Sequence, residues 1–169
     1  MRCKYDNIIA IDPDVEKSGV AVLDVAARKY IIIDSMPFPQ VCECFKDCLA
    51  FLDNKRMKVV IEAGWMVRKS NFHQAQGHRA ERVAKNVGEN HGTGKQLFAM
   101  AEHYGLNVEC VHPLKKCWKG KDGKITHDEL AAFTHIEMKR TNQDSRDAAL
   151  LAWVHADLPI MMTTAIFGH

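Results

Sequence analysis

Short apolar runs rich in β-branched residues alternate along the chain with segments whose apolar residues recur at helical spacing. The apolar runs predict five strands, over residues 7–11, 20–25, 30–34, 58–62 and 108–111. The helical spacing predicts helices over residues 40–52, 94–104, 126–139 and 144–155. Three strands precede the first helix, and helices and strands alternate after it. This order predicts an α/β fold with a mixed five-stranded sheet and helices on both faces.

The length and composition are those of one globular domain. The chain has 169 residues, of which 47% are hydrophobic, and a net charge of +2. One domain is therefore expected over residues 1–169. The sequence shows no apolar run of 18 residues and no signal-peptide pattern, so we expect a cytoplasmic protein that does not contact a membrane. The six cysteines form no Cys-x-x-Cys pair and are expected to be reduced. Cys44 and Cys48 lie four apart on a predicted helix, so buried thiols are favoured there over a zinc site including Cys42.

Positive charge is concentrated in two segments despite the small net charge. Residues 66–85 contain one acid, Glu81, and are interpreted as a surface loop or mobile helix. Residues 114–124 form a second basic segment. A phosphate track is favoured over an ordinary solvated surface because the two segments lie on either side of the acids described next. The candidate nucleic-acid contacts are Arg68, Lys69, Arg79, Arg82, Lys115, Lys116, Lys119 and Lys124.

Four carboxylates fall at informative places. Asp12 ends the first strand and Glu62 ends the fourth, and these strands can be parallel neighbours, while Asp144 and Asp147 lie three apart at the start of the last helix. Taken separately, each acid has another explanation. Asp12 could begin a turn, Glu62 could be a solvated strand end, Asp144 could cap the last helix, and Asp147 could interact with the helix dipole. Together, oxygen ligands without His or Cys suit Mg²⁺, and two such ions can activate water for phosphodiester hydrolysis. The set therefore predicts metal-assisted phosphoryl transfer.

Four segments in order carry a resemblance to a known family. They are IIAIDPDVEKSGVAVLD, VVIEAGW, NVGENHGTGKQLFAMAEHYGLNVECVHPLKKCWKG and DSRDAALLAWVH. The chain resembles the RuvC-type Holliday-junction resolvases of the ribonuclease H-like superfamily, from Ile8 to about His155. The resemblance implies a ribonuclease H-like fold and cleavage of four-way DNA junctions.

The same resemblance implies a catalytic tetrad that binds two Mg²⁺ or Mn²⁺ ions, formed by Asp12, Glu62, Asp144 and Asp147. It also implies a lysine at the phosphate, which Lys124 in DGKITHDEL matches best, with Lys116 as another phosphate contact. A homodimer with its contact near residues 88–104 is expected on the same basis.

The sequence departs from the family at two places. Asp14 stands where the family has a glycine after Asp-Pro, and residues 66–85 are longer than usual. Trp65 and Phe72 could stack on an opened junction, although Trp65 could equally pack under the adjacent loop. The histidines are weaker candidates for proton transfer, because a metal-bound water needs no such base; they are His73, His78, His91 and His127.

The main hypothesis is therefore a metal-dependent, structure-specific endodeoxyribonuclease. One alternative is a related nuclease acting on RNA–DNA hybrids, single strands or other branched DNA. Another is a DNA-binding module without activity, against which the four intact acids argue. An actin-like ATPase is disfavoured by the length, since that fold needs two such domains.

Overall fold

A computed structural model describes residues 3–67 and 77–161 of the chain. Its strands are β1 (Asn7–Asp12), β2 (Ser18–Asp24), β3 (Lys29–Met36), β4 (Met57–Glu62) and β5 (Val108–Val111). Its α-helices over these residues are α1 (Phe38–Phe51), α2 (His78–His103), α3 (His127–Thr134) and α4 (Gln143–His155). None of these helices has the length and apolar character needed to cross a membrane.

The five strands form one mixed sheet in the order β3-β2-β1-β4-β5. β2 is antiparallel to both β1 and β3, whereas β1 and β4 are parallel, as are β4 and β5. In the parallel pair of β1 and β4, Ile11 lies opposite Ile61, and the next residue of each strand is its terminal acid. The predicted mixed sheet, with the first and fourth strands as parallel neighbours, is confirmed.

Each face of the sheet is covered by helices. Ile8 and Ala10 belong to one buried cluster together with residues of α3 and α4. Ile9 and Ile11, which alternate with them along β1, belong to a second cluster with residues of α1 and α2. All four side chains are fully buried, as expected for a central strand whose two faces are both covered. The prediction of helices on both faces is confirmed.

The second helix is much longer than predicted. The sequence suggests a helix from residue 94, but α2 begins at His78 and includes part of the first basic segment. Its buried residues are Gly94, Leu97 and Ala101, and most residues from His78 to Glu89 are exposed. Buried residues are therefore confined to the second half of α2. Small apolar residues recur at helical spacing in the first half as well, but none of them is buried; they are Ala80, Val83, Ala84 and Val87.

The last two helices differ from their predicted bounds for local reasons. Thr126 and Glu129 form the predicted capping box, but α3 ends at Thr134 because His135 adopts a left-handed conformation, with φ of 55°. In α4 the N-cap is Asn142, whose side chain accepts a hydrogen bond from the Ser145 amide. The interpretation of Asp144 as the cap is therefore wrong.

The cysteines of α1 behave as predicted for buried apolar residues. Cys42, Cys44 and Cys48 are buried as free thiols, and the last two lie in the cluster beneath α1. Among the described residues, no group of three His, Cys, Asp or Glu side chains is already arranged to hold a metal ion. The described structure thus gives no support to a zinc site at these cysteines.

Candidate active site

Two carboxylates reach the same edge and the same face of the sheet. Asp12 and Glu62 are the last residues of the parallel strands β1 and β4, so both lie at the carboxyl edge. Strand side chains alternate between faces, and Ala10 and Val60, two positions before these acids, both contact the cluster under α4. Asp12 and Glu62 are therefore directed to the face that α4 covers.

The first turn of α4 lies directly against the end of β2. Gly19 pairs with Asp12 across the β1–β2 ladder. A Cβ atom built on Gly19 would lie 1.9 Å from the carbonyl oxygen of Asp144, so only glycine permits this approach. Gly19 thus lets α4 bring Asp144, and Asp147 one turn later, to the strand ends that carry Asp12 and Glu62.

The pKa values show that these acids influence one another. Burial raises the pKa of Asp12 well above its usual value, and the negative charges of Glu62, Asp147 and Asp144 raise it further. Burial, followed by the charge of Asp147, also raises the pKa of Glu62. The pKa of Asp144 is raised by burial and then by Asp14. Folding therefore brings together carboxylates that repel one another.

This donor set fits a hard divalent cation. The four groups provide oxygen atoms only, which Mg²⁺ and Mn²⁺ prefer, and a cation would relieve both the burial of the carboxylates and their mutual repulsion. The described acids do not already form a ready-made cage. The roles of Asp12, Glu62, Asp144 and Asp147 as metal ligands stay predictions.

Lys124 supplies positive charge at this cluster. Its Nζ atom lies 3.2 Å from Oδ2 of Asp147, whose Oδ1 accepts a hydrogen bond of 2.8 Å from Gln143 Nε2. Burial alone would lower the pKa of Lys124, but the charges of Asp147, Asp12 and Asp144 together raise it. Lys124 is therefore a fixed cation at the candidate site.

A cleft joins the acids to part of the second basic segment. Its lining includes Asp12, Glu62 and Asp147, together with Lys115, Lys116 and Lys124. The positive charge of Lys116 partly offsets the effects of burial and Asp147 that raise the pKa of Glu62. The cleft therefore brings acidic groups suited to a cation together with ammonium groups suited to phosphate.

The segment that carries these lysines is tightly folded. The amide of Trp118 donates to the carbonyl of Gly123, and the Trp118 ring stacks on Phe133 with 5.9 Å between centroids. The Lys119 amide donates to the carboxylate of Glu129, at 3.0 Å from Oε1. Glu129 belongs to the α3 capping box, so the start of α3 holds this segment in place.

The other predicted nucleic-acid contacts have different positions. Lys119 is exposed and does not line the cleft. Arg79 and Arg82 are exposed on the first turns of α2. Arg68 and Lys69 lie outside the described residues, as do Phe72 and His73.

Trp65 packs against α2. A Cβ atom on Gly94 would lie 2.6 Å from the Trp65 ring, and the ring contacts His91 edge-on with 5.8 Å between centroids. Lys95 lies 5.7 Å from the centre of the same ring. Trp65 is partly buried in this arrangement, so the structure favours its interpretation as a packing residue.

Asp14 organises the turn between β1 and β2. Its carboxylate accepts a 2.8 Å hydrogen bond from the Glu16 amide and a 3.5 Å hydrogen bond from Asn90 of α2. Asp14 therefore takes part in the local turn and links it to α2. Asp14 also raises the pKa of Asp144, so its charge reaches the candidate site.

Two of the predicted histidines have partners away from the four acids. His127 Nδ1 lies 2.9 Å from the hydroxyl of Thr141, and His78 lies 3.5 Å from Glu81. Both partners are consistent with structural rather than proton-transfer roles.

Three residues that the sequence did not single out shape the site. Gly19 admits α4, Gln143 binds Asp147, and Arg146 binds the backbone beside Lys124. The spacing of four between Gln143 and Asp147 is a local signal that could have been read. The other two contacts join segments that are distant in sequence, so no local pattern indicates them.

At the level of sequence, the chain matches no protein-family model and no curated protein. At the level of structure, it is similar to T. thermophilus RuvC in complex with a Holliday junction substrate, with a TM-score of 0.52, 15% identity and 97% of each chain covered. The fold is that of RuvC. A second Thermus thermophilus RuvC structure gives a TM-score of 0.52 and 13% identity, with 89% of this chain and 93% of that chain covered. The RuvC-like fold implied by the sequence motifs is confirmed over nearly the whole chain.

Proposed function

We propose that this protein is a metal-dependent endodeoxyribonuclease that hydrolyses phosphodiester bonds in four-way DNA junctions. The observation that carries the proposal is the meeting of Asp12 and Glu62, from parallel strand ends, with Asp147 and Lys124 in one cleft. The fold adds support, because a RuvC of the same fold is found in complex with a Holliday junction substrate.

The four acids are proposed to hold two Mg²⁺ or Mn²⁺ ions. Asp12 and Glu62 come from the sheet, and Asp144 and Asp147 come from α4. When bound, such ions lower the pKa of water and stabilise negative charge on a phosphodiester. The raised pKa of Asp12 supports the assignment, because burial and the neighbouring acids outweigh the charge of Lys124, and a bound cation would offset the remainder.

Lys124 is proposed to bind the scissile phosphate. Its ammonium group already lies at the acids, and a phosphate oxygen entering the cleft would accept a hydrogen bond from it. Positive charge at this position would stabilise the charge that develops during phosphodiester cleavage.

The remaining basic residues are proposed to bind DNA around the cleavage point. Lys115 and Lys116 line the same cleft, which supports their proposed contact with the neighbouring phosphates. Phosphate contacts of this kind orient the DNA without reading its sequence. The other basic residues would contact the arms of the junction; they are Arg68, Lys69, Arg79, Arg82 and Lys119.

A homodimer acting in the cytoplasm completes the proposal. A four-way junction has two strands to cut, and one copy of this site serves one strand. We propose residues 88–104 of α2 as the contact between the two copies.

The deciding experiment is cleavage of a labelled synthetic four-way junction in the presence of Mg²⁺ or Mn²⁺. We expect Asp12→Asn to reduce cleavage by about 100-fold or more, the size of effect seen when charge stabilisation in a transition state is removed. Asp47→Asn is the matched control because its carboxylate is exposed on α1, and it should cleave like the wild type.

The same assay with forks, single strands and RNA–DNA hybrids tests the substrate. Preference for the four-way junction supports the proposal, whereas cleavage of the hybrid alone would replace it with a ribonuclease H-like activity. A wild type that cuts no branched DNA with either metal would overturn it.

A further inference from the structure

The backbone beside Lys124 is held by two side chains of α4. The carbonyl oxygen of Ile125 accepts hydrogen bonds from Arg146 Nε at 3.1 Å and from Gln143 Nε2 at 3.2 Å. The Ile125 side chain is 1% exposed and lies in the core cluster beneath α4. Residue 125 is thus fixed through both its side chain and its carbonyl group.

Arg146 is the centre of this network. Its guanidinium group also donates to the carbonyl and hydroxyl oxygens of Thr141, and at 3.0 Å to Oε1 of Gln143. Gln143 in turn donates to Asp147, the acid that pairs with Lys124. The hydrogen bonds from Arg146 therefore lead to both members of this ion pair: to Lys124 through its neighbour Ile125, and to Asp147 through Gln143.

We propose that Arg146 is a positioning residue that fixes Lys124 against Asp147. This inference rests on the proposed function for its catalytic meaning. The planar guanidinium group is needed because it presents several donors at fixed angles and can bind Ile125, Thr141 and Gln143 together. In the sequence Arg146 lies between Asp144 and Asp147, but its guanidinium group is bonded within the protein. It therefore acts on substrate through Lys124.

The first test measures the position of Lys124 without DNA or metal. Trace acetylation with an amine-reactive ester, quantified by mass spectrometry, reports how readily each lysine reacts. In Arg146→Ala we expect Lys124 to react about fivefold faster, the change that follows when an ion pair of modest strength is lost. Lys121, exposed in the same segment, serves as the internal reference and should not change.

The matched control is Arg140→Ala, which removes the same charge from an exposed position close in sequence to α4. We expect wild-type reactivity of Lys124 in this variant. If Arg146→Ala does not unfold cooperatively, Arg146→Lys takes its place, because one ammonium group cannot satisfy the same set of acceptors. Unchanged reactivity of Lys124 in a folded Arg146 variant would overturn the proposal.

The second test is a double-mutant cycle on junction cleavage. Arg146→Ala should lower kcat about tenfold in the wild type, because small misplacements of catalytic groups carry large costs. In a Lys124→Ala background the same change should lower kcat by clearly less, because only the link through Gln143 to Asp147 is then lost. Equal losses in both backgrounds would show that Arg146 acts generally on the fold, and would overturn the proposal.

The two tests separate the two proposals. A wild type without cleavage activity removes the proposed function, while the acetylation result still decides whether Arg146 positions Lys124. An active wild type with unchanged acetylation removes only the role of Arg146.

Discussion

Replacing Gly19 with alanine tests whether the approach of α4 to the sheet places the acids. The added Cβ atom would lie 1.9 Å from the carbonyl oxygen of Asp144 and 2.4 Å from its carbonyl carbon. Both atoms belong to the backbone of α4, so no side-chain rotation removes the overlap. The first turn of α4 must therefore move away from β2.

The size of this movement follows from the geometry. Ordinary contact begins at 3.4 Å, so the carbonyl oxygen must retreat by about 1.5 Å. Overpacking of this kind costs about 2 kcal/mol, which corresponds to a fall in Tm of about 4–8 °C at this chain length. Asp144 and Asp147 move with the helix, and a misplacement of about 1 Å can reduce catalysis by about 100-fold.

Thermal unfolding followed by circular dichroism measures the stability, and junction cleavage well below the Tm measures activity. Gly88→Ala is the matched control, because Gly88 lies within α2 with no atoms within 4 Å of an added Cβ. We expect this control to stabilise the protein by about 0.5–1 kcal/mol. Because Gly88 belongs to the proposed dimer contact, the control for cleavage is Asp47→Asn, whose side chain is exposed on α1. A Gly19→Ala protein with wild-type Tm and wild-type cleavage would refute the reasoning.

Three further predictions concern stability. Burial alone would raise the pKa of Glu129, but hydrogen bonds from the Thr126 and Lys119 amides outweigh it and lower the pKa. Glu129→Gln should therefore cost about 1–2 kcal/mol at pH 7, and this cost should disappear as the pH falls below 4.5. Glu137→Gln, at an exposed position outside the helices, should show neither effect. Mg²⁺ at 100 times its Kd should stabilise the wild type by about 2.7 kcal/mol in calorimetry, and Asp12→Asn should lose this gain. Tyr30→Phe removes a 2.7 Å hydrogen bond to a carbonyl of α4 and should cost about 1 kcal/mol in urea denaturation; an unchanged midpoint would contradict this.

The strands were predictable because their burial is a local property of the sequence. The bounds of each apolar run agree with those of a strand to within a few residues. Two of the runs end in Asp12 and Glu62, and this was enough to suggest that their strands are parallel neighbours. The capping box at Thr126 was equally predictable, since both of its members lie within one turn.

Other features depend on contacts that no local pattern contains. The first half of α2 carries only small apolar residues at helical spacing among many charged ones, and it buries none of them, so its helical signal is weak. The short α3 ends because His135 takes a left-handed conformation, which is uncommon for residues other than glycine and is not indicated by any glycine or asparagine at this position. Gly19 and Arg146 have meaning only when β2, Ile125 and α4 have come together.

The alternation of faces along β1 and β4 restricts how proteins with this site can diverge. Inserting or deleting one residue between the buried core positions and Asp12 would turn its carboxylate towards α1 and α2, away from the other acids. A change of two residues would preserve the face. Length variation among related sequences should therefore accumulate between the strands, and any within β1 or β4 should occur in even steps.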